Sequence, residues 1–289
     1  FACHGGLRLT EGNAPDPSQT VITSAQPVEA CNIRSGSRDV DPSPKPPGQE
    51  DLPGAPLSNV GDAFWYAFVL QSAPGTVAIA RFDTKPSSSF APGRNAEVSM
   101  LDIDPLTPGK NGISVGEDPI AIATDKVGCY EVIANAGSCD LSTLNINSAL
   151  GGADVPPGTD PEVKRLQVRT PAGEVTRARP AAMVFEPAGG TIGTACPAQA
   201  TGLAYIAYPS CHLVAGVDVA TGTIVTGIQF DAAGPPVVTA NVTCPNECDM
   251  AAPPTMGLRP VALDHERDEN SGRVVLAIGG DNSNVLTVF

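Results

Sequence analysis

Charge is scarce in this 289-residue chain, and what there is leans one way: Lys and Arg number 17 against 31 Asp and Glu, for a formal net charge of −14. A surface that acidic repels a phosphate backbone, and no basic stripe offsets it locally, which excludes DNA and RNA as partners. Aromatic residues make up only 4%, with a single Trp. No stretch approaches about 18 apolar residues free of charge or proline, so no segment is suited to crossing a membrane as a helix. Histidine is nearly absent: His4, His212 and His265 are the only three, and no two stand at the spacing of a zinc site or a Ser-His-Asp set. The chain does not begin with Met, and no basic stretch followed by an apolar one opens it. Any signal peptide is therefore expected to have been removed already.

What is abundant is glycine (30) and proline (29), which argues against long helices and coiled coils, while 42% hydrophobic residues argues against wholesale disorder. The aliphatic residues fall in short runs of strand length. Eight cysteines, Cys3, Cys31, Cys129, Cys139, Cys196, Cys211, Cys244 and Cys248, are scattered outside any metal pattern. They read as a disulfide set, which implies an oxidising, extracytoplasmic compartment.

Residues 1–60 form a proline-rich arm, with Asp39-Val-Asp-Pro-Ser-Pro-Lys-Pro-Pro-Gly48 as an extended polyproline-like linker. From residue 61 the texture changes to strands. Phe64-Trp-Tyr-Ala-Phe-Val-Leu70, a Pro74-Gly75 turn and Thr76-Val-Ala-Ile-Ala-Arg-Phe-Asp83 read as a hairpin, followed by a strand at Glu97–Asp104. Three units then share one layout. The first runs through Gly116–Asp125, Tyr130–Asn135 and Leu141–Ile146; the second through Arg179–Glu186, Leu203–Ala207 and Leu213–Val219; the third through Gly257–Leu263, Val274–Ile278 and Asn284–Phe289. A proline (Pro119, Pro180, Pro260) opens each unit at the strand position where a missing N–H costs least. An acidic residue (Asp125, Glu186, Glu266) follows where a turn must begin, and Asp there can bond its own backbone. In the second unit Asp218-Val-Ala-Thr-Gly-Thr-Ile224 turns into a fourth strand ending at Phe230.

This layout resembles the YVTN/NHL-type β-propeller repeat of bacterial cell-envelope proteins, most closely at Leu203–Phe230. The resemblance implies an all-β fold of about four propeller blades over residues 61–289. The pattern stops mid-blade at Phe289, so the chain is expected to belong to a larger ring, completed by further sequence or by a partner. In such a fold the loop leading into the innermost strand sits at the mouth of the central channel. Asp118, Arg179 and Arg259, each preceding a strand-opening proline, are the candidate ligand-binding residues there. Two arginines can hold a carboxylate or sulfate, or they can neutralise neighbouring acids.

Strand geometry constrains the cysteines. If Tyr130–Asn135 is one extended strand, its ends lie on the order of 15–20 Å apart, beyond the roughly 7 Å a disulfide allows between Cα atoms. Cys139 and Cys211, aligned in Gly137-Ser-Cys-Asp-Leu141 and Pro209-Ser-Cys-His-Leu213, then lie at one face with Cys244 and Cys248, and Cys129 and Cys196 at the other. Pairing within a face is preferred, with connectivity open. Cys3 in Phe-Ala-Cys is a candidate for a disulfide, for a lipid anchor, or, with His4, for the tail of a haem-attachment motif.

No other constellation demands a cofactor or metal. Cys244-Pro-Asn-Glu-Cys248 is more simply a disulfide than a metal site. The acidic runs Asp264–Asn270 and Gly279–Asn284 lack EF-hand spacing. Asn241-Val-Thr243 fits the N-glycosylation acceptor. The expected function is a non-catalytic binding or scaffold module outside the cytoplasm, in contact with other envelope or extracellular proteins. The resemblance also admits two alternatives: a periplasmic enzyme or oxidoreductase subunit, lactonase-like or linked to quinone or haem, and surface carbohydrate binding through Trp65 and Tyr66.

Overall fold

The computed structural model describes residues 21–27, 64–83, 97–100, 112–125, 129–149, 161–186, 196–230, 234–242, 244, 257–267, 274–283 and 286–288. The linker at 39–48 and Cys3, Cys31, Cys248 and His4 lie outside them.

The chain is all-β, built as antiparallel sheets in series, none closed into a barrel. The first sheet holds β1 (Val21–Pro27), β2 (Phe64–Gln71), β3 (Thr76–Asp83), β4 (Glu97–Met100) and β5 (Gly112–Ser114), with β4 and β5 both on β3. The second runs β6 (Pro119–Thr124), β7 (Tyr130–Asn135), β8 (Asp140–Asn145) and β9 (Val163–Leu166), with a single helical turn α1 (Ile146–Ala149) after β8. The third runs β10 (Ala182–Phe185), β11 (Leu203–Tyr208), β12 (Leu213–Asp218), β13 (Thr223–Gln229) and β14 (Val237–Thr239). The fourth holds β15 (Pro260–Arg267), β16 (Val274–Gly280) and β17 (Thr287–Val288). The last three sheets are simple meanders in chain order, each opened by the strand of a proline-led unit. β1 falls inside the expected arm and pairs with β2, so 21–27 is part of the first sheet.

Each consecutive pair of sheets shares an apolar core. Phe68, Leu70, Val77 and Ile79 of the first sheet meet Ile122, Ile133 and Leu144 of the second. Val132, Ala134 and Leu141 on the opposite face of the second sheet meet Met183, Phe185, Ile206 and Leu213 of the third. Val184, Val214 and Ile228 on the far face of the third meet Leu276 and Ile278 of the fourth. The central strands of the second and third sheets are therefore covered on both faces, and β7 is buried at every residue. That is why Leu203–Tyr208 is a continuous apolar run rather than an alternating one, and why Tyr130–Asn135 is interrupted only by Glu131, which is buried and accepts from the Thr124 hydroxyl, before Asn135 closes it. The opening strands also meet one another: β6 lies against β10, and β10 against β15.

Hairpin register places the two ends of this stack. The turn between β2 and β3, the loops leading into β6, β10 and β15, and the turns between β7 and β8 and between β11 and β12 share one end. Asp125, Cys129 and the Asp218–Thr223 turn lie at the other.

Candidate functional site

The shared loop end is where the sequence placed its candidate residues. Here groups from neighbouring sheets are tied directly. Ser72 donates its hydroxyl to the Pro119 carbonyl at 2.8 Å, joining the first sheet to the second. Asp118 and Arg179 form an ion pair at 2.5 Å, joining the second to the third. The His212 ring sits with Nδ1 3.2 Å from the Leu258 carbonyl, an N–H donor facing the chain that leads into the fourth.

Two of the three candidates are thus brought together and the third is not. Arg259 pairs instead with Asp281 at 3.0 Å, within the fourth sheet. Its backbone N–H donates to the Asn282 side chain, which in turn donates to the Gly257 carbonyl. Those oxygens of the Gly279–Asn284 run are engaged in closing a turn. Both guanidinium groups that would hold a free anion are held by the protein's own carboxylates.

A denser polar cluster, not anticipated from the sequence, lies beside Asp118. Arg165 on β9 donates from Nε to Asp140 at 3.0 Å, from Nη1 to the Val115 carbonyl at 2.9 Å and from Nη2 to Ser138 Oγ at 2.8 Å. Asn135, fully buried at the end of β7, donates to Asp140 and Ser142, both at 3.0 Å, and accepts from the Gly116 N–H at 3.2 Å. A Cβ on Gly116 would stand 2.3 Å from the Asn135 side chain, so only glycine admits this approach. The sequence signal was available in part: Asn135 closes an apolar strand and Gly116 opens the unit.

Three non-glycine residues hold left-handed backbone at this same end: Asp118 (φ 48°), Cys139 (φ 53°) and His212 (φ 50°). Each costs about 1 kcal/mol that its surroundings must offset. Cys139 and His212 both immediately precede the third strand of their sheets, after four-residue turns. The structural equivalent of Cys139 is therefore His212, one residue beyond the Cys211 that sequence alignment matches to it.

Two disulfides clamp the stack, one at each end. Cys129 is bonded to Cys196, with Cα atoms 5.7 Å apart, and Cys211 to Cys244, at 5.2 Å. Each joins cysteines that strand length assigns to a common face. Cys139 is disulfide-bonded too, so all five described cysteines are oxidised. An oxidising, extracytoplasmic environment follows. At the Cys129 end the Asp125 carboxylate, fully buried, accepts from the backbone N–H groups of Cys129 (2.8 Å), Tyr130 (3.1 Å) and Thr201 (3.1 Å), the last in the segment that leads into β11 of the third sheet. Tyr130 donates its hydroxyl to the Pro197 carbonyl at 3.0 Å. Burial, then the charges of Glu162 and Asp125, raises the Tyr130 phenol above its ordinary value. Tyr208, at the loop end, is raised further by complete burial and by the nearby Asp140 charge.

Among the described residues no group of His, Cys, Asp and Glu is arranged to hold a metal, and no helix is long and apolar enough to cross a membrane. Trp65 and Tyr66 fall on β2, and their side chains lie outside the described residues. Asn241 is exposed. No family model matches the chain, and no curated protein matches it.

Proposed function

We propose that this chain is a binding or scaffold module of β-propeller type, akin to YVTN/NHL repeats, that recognises another protein through the loop end of its sheets. It works in a cell-envelope or extracellular assembly. The observation that carries this reading is the cross-tying of that end: Ser72 to Pro119, Asp118 to Arg179 and His212 to Leu258 fix loops from different sheets against one another. A surface assembled from several rigid loops is pre-organised for a protein partner, which lowers the entropic cost of association. Charged side chains there are engaged by opposite charges of the same chain (Arg165 with Asp140, Arg179 with Asp118, Arg259 with Asp281), an arrangement suited to a recognition surface rather than to proton transfer.

The test is site-specific photo-crosslinking in cells that make the protein. A benzophenone side chain at exposed Glu117, on the loop end, is expected to give a discrete adduct with another protein, and one at exposed Thr221, on the opposite end, is not. Equal adducts from both positions, or none from Glu117, would remove the reading. Elemental analysis and an absorbance spectrum of the native protein address the enzyme alternatives: stoichiometric metal or a haem band would put one of them in its place.

A further inference from the structure

One peptide bond at the loop end combines backbone strain with a nucleophile of its own. Asp118 holds φ at 48° and is followed by Pro119. Crowding by a proline ring confines the preceding residue to extended backbone, and left-handed φ is disfavoured for any residue with a Cβ. Asp118 breaks both preferences at once. The residues that precede the strand-opening proline in the other units, Arg179 and Arg259, have neither positive φ nor a carboxylate.

The surrounding hydrogen bonds hold this strain in place. The carbonyls of Glu117, Asp118 and Pro119 accept in turn from the Gly137 N–H (2.9 Å), the Ala136 N–H (2.8 Å) and the Ser72 hydroxyl (2.8 Å). The middle bond polarises the carbonyl of the Asp118–Pro119 peptide itself, and the same N–H can stabilise an oxyanion forming there. The side chain is held as well: Arg179 binds Oδ2 and leaves Oδ1 without a donor among the described residues. The Asp118 side chain is 38% exposed, so water reaches it.

We propose that the chain cuts itself at the Asp118–Pro119 bond. Oδ1 attacks the carbonyl carbon of its own residue, while Oδ2 keeps its bond to Arg179 and the tertiary amide nitrogen of Pro119 departs. The carbon gains a bond to Oδ1 and loses its bond to nitrogen, which takes a proton from water. The hydroxide left behind opens the cyclic anhydride and restores the Asp118 side-chain carboxylate. The new C-terminal carboxyl gives its proton to the Pro119 amine, so one water is consumed and nothing is oxidised or reduced. Release of Pro119 ends the crowding by its ring, and that relief lowers the barrier relative to an unstrained Asp–Pro bond. The two pieces stay together, since Phe68, Leu70, Val77 and Ile79 remain packed on Ile122, Ile133 and Leu144. The product is a two-chain form whose loop end gains a carboxylate at Asp118 and a secondary ammonium at Pro119. This activity goes beyond partner binding and does not depend on it.

The test incubates the purified 289-residue chain in a mildly acidic buffer that preserves its circular dichroism, then applies mass spectrometry after denaturation and reduction. Pieces ending at Asp118 and beginning at Pro119 are expected, at a rate independent of protein concentration. Four other Asp–Pro bonds, after Asp16, Asp41, Asp104 and Asp160, serve as internal standards. In urea every one of these bonds loses its setting, and all are expected to break at similar rates. Folding is expected to speed the break after Asp118 by about tenfold or more, which is about 1.4 kcal/mol off its barrier. Asp118→Gly keeps the left-handed turn but removes the carboxylate, and Pro119→Ala keeps the carboxylate but removes the ring. Neither variant is expected to break there. A cut at this place in Asp118→Gly, or a rate in folded protein no greater than in urea, would overturn the proposal. So would equal cutting at the other Asp–Pro bonds of folded protein, a rate that rises with protein concentration, or a chain that stays intact.

Discussion

Replacing Asp125 by alanine strips the acceptor from three backbone N–H groups at once, those of Cys129, Tyr130 and Thr201. The first two are buried, and each donor left without an acceptor costs about 1–3 kcal/mol. The third is part-buried and can recover some of its loss from water. The sum expected for Asp125→Ala is about 3–5 kcal/mol, at the upper end of single-substitution effects. Asp125→Asn separates the parts. One amide oxygen retains the bonds from Cys129 and Tyr130, while the amide NH2 meets the Thr201 N–H donor against donor, so the cost falls to about 1–2 kcal/mol. Urea unfolding with disulfides intact measures both. The Cys129–Cys196 bond spans 67 residues and holds the same two segments together, contributing about 4 kcal/mol in the loop-closure picture. In a Cys129→Ser/Cys196→Ser background the loss from Asp125→Ala should therefore differ from its value in the parent by more than about 0.5 kcal/mol, because the two restraints share a loop. A loss below about 0.5 kcal/mol for Asp125→Ala in the parent would refute the reasoning.

Gly116→Ala should cost about 1–3 kcal/mol in the same assay, since the new Cβ must displace the buried Asn135 side chain from 2.3 Å. Arg179→Ala, by contrast, should cost no more than about 1 kcal/mol, because its ion pair with Asp118 is well exposed and screened; a loss of crosslinking at Glu117 without a loss of stability is the expected signature. Tyr208 is raised above the ordinary 10.0 by burial and then by Asp140, so its contribution is complete below pH 10 and is lost as pH rises through the shifted value. Absorbance near 295 nm should show it ionising only together with loss of the fold; a phenol that titrates near 10 in folded protein would contradict its burial. The Cys211–Cys244 bond, with both residues under 9% exposed, should resist dithiothreitol in native protein and yield once urea is added, as thiol counting can follow.

Much of the fold is written in the sequence, and the gaps have physical causes. The hairpin of β2 and β3 and the opening, second and third strands of each unit are legible because they are apolar runs punctuated by proline, glycine and Asp-initiated turns. β5, β9 and β14 are not legible. They are strands of three or four residues at sheet margins, such as Val163-Lys-Arg-Leu166, each too short to show a period although Ile113 and Leu166 are buried in the core. β1 is hidden by the prolines around it, and its pairing with β2 crosses more than thirty intervening residues that carry no signal of it. The candidate site divides the same way. Asp118 and Arg179 are conspicuous as residues before strand-opening prolines, whereas their union across 61 residues depends on how two sheets pack. Asp125 is recognisable as a turn residue, and its bonds to Cys129 and Tyr130 are local. Its third bond, to Thr201, exists only because the neighbouring sheet brings that loop within reach.

That third bond points to the economy of the whole arrangement. A buried carboxylate with acceptors to spare is costly unless every lone pair is used. Asp125 satisfies its own turn and then reaches the next sheet; Asn135 ends its strand and then fixes Gly116 on the loop between sheets; Arg165 bonds Asp140 beside it and then the Val115 carbonyl across a junction. In each case a residue demanded locally by a turn or a strand end also serves a neighbour. The apolar cores between sheets are non-directional and would tolerate sliding. The directional bonds fix the angle and height at which one sheet meets the next. In the fourth sheet Glu266 stands at the position of Asp125, six residues after the strand-opening proline, and its side chain is exposed. The same local grammar there ends in an exposed side chain rather than in a bond to a neighbouring sheet's loop.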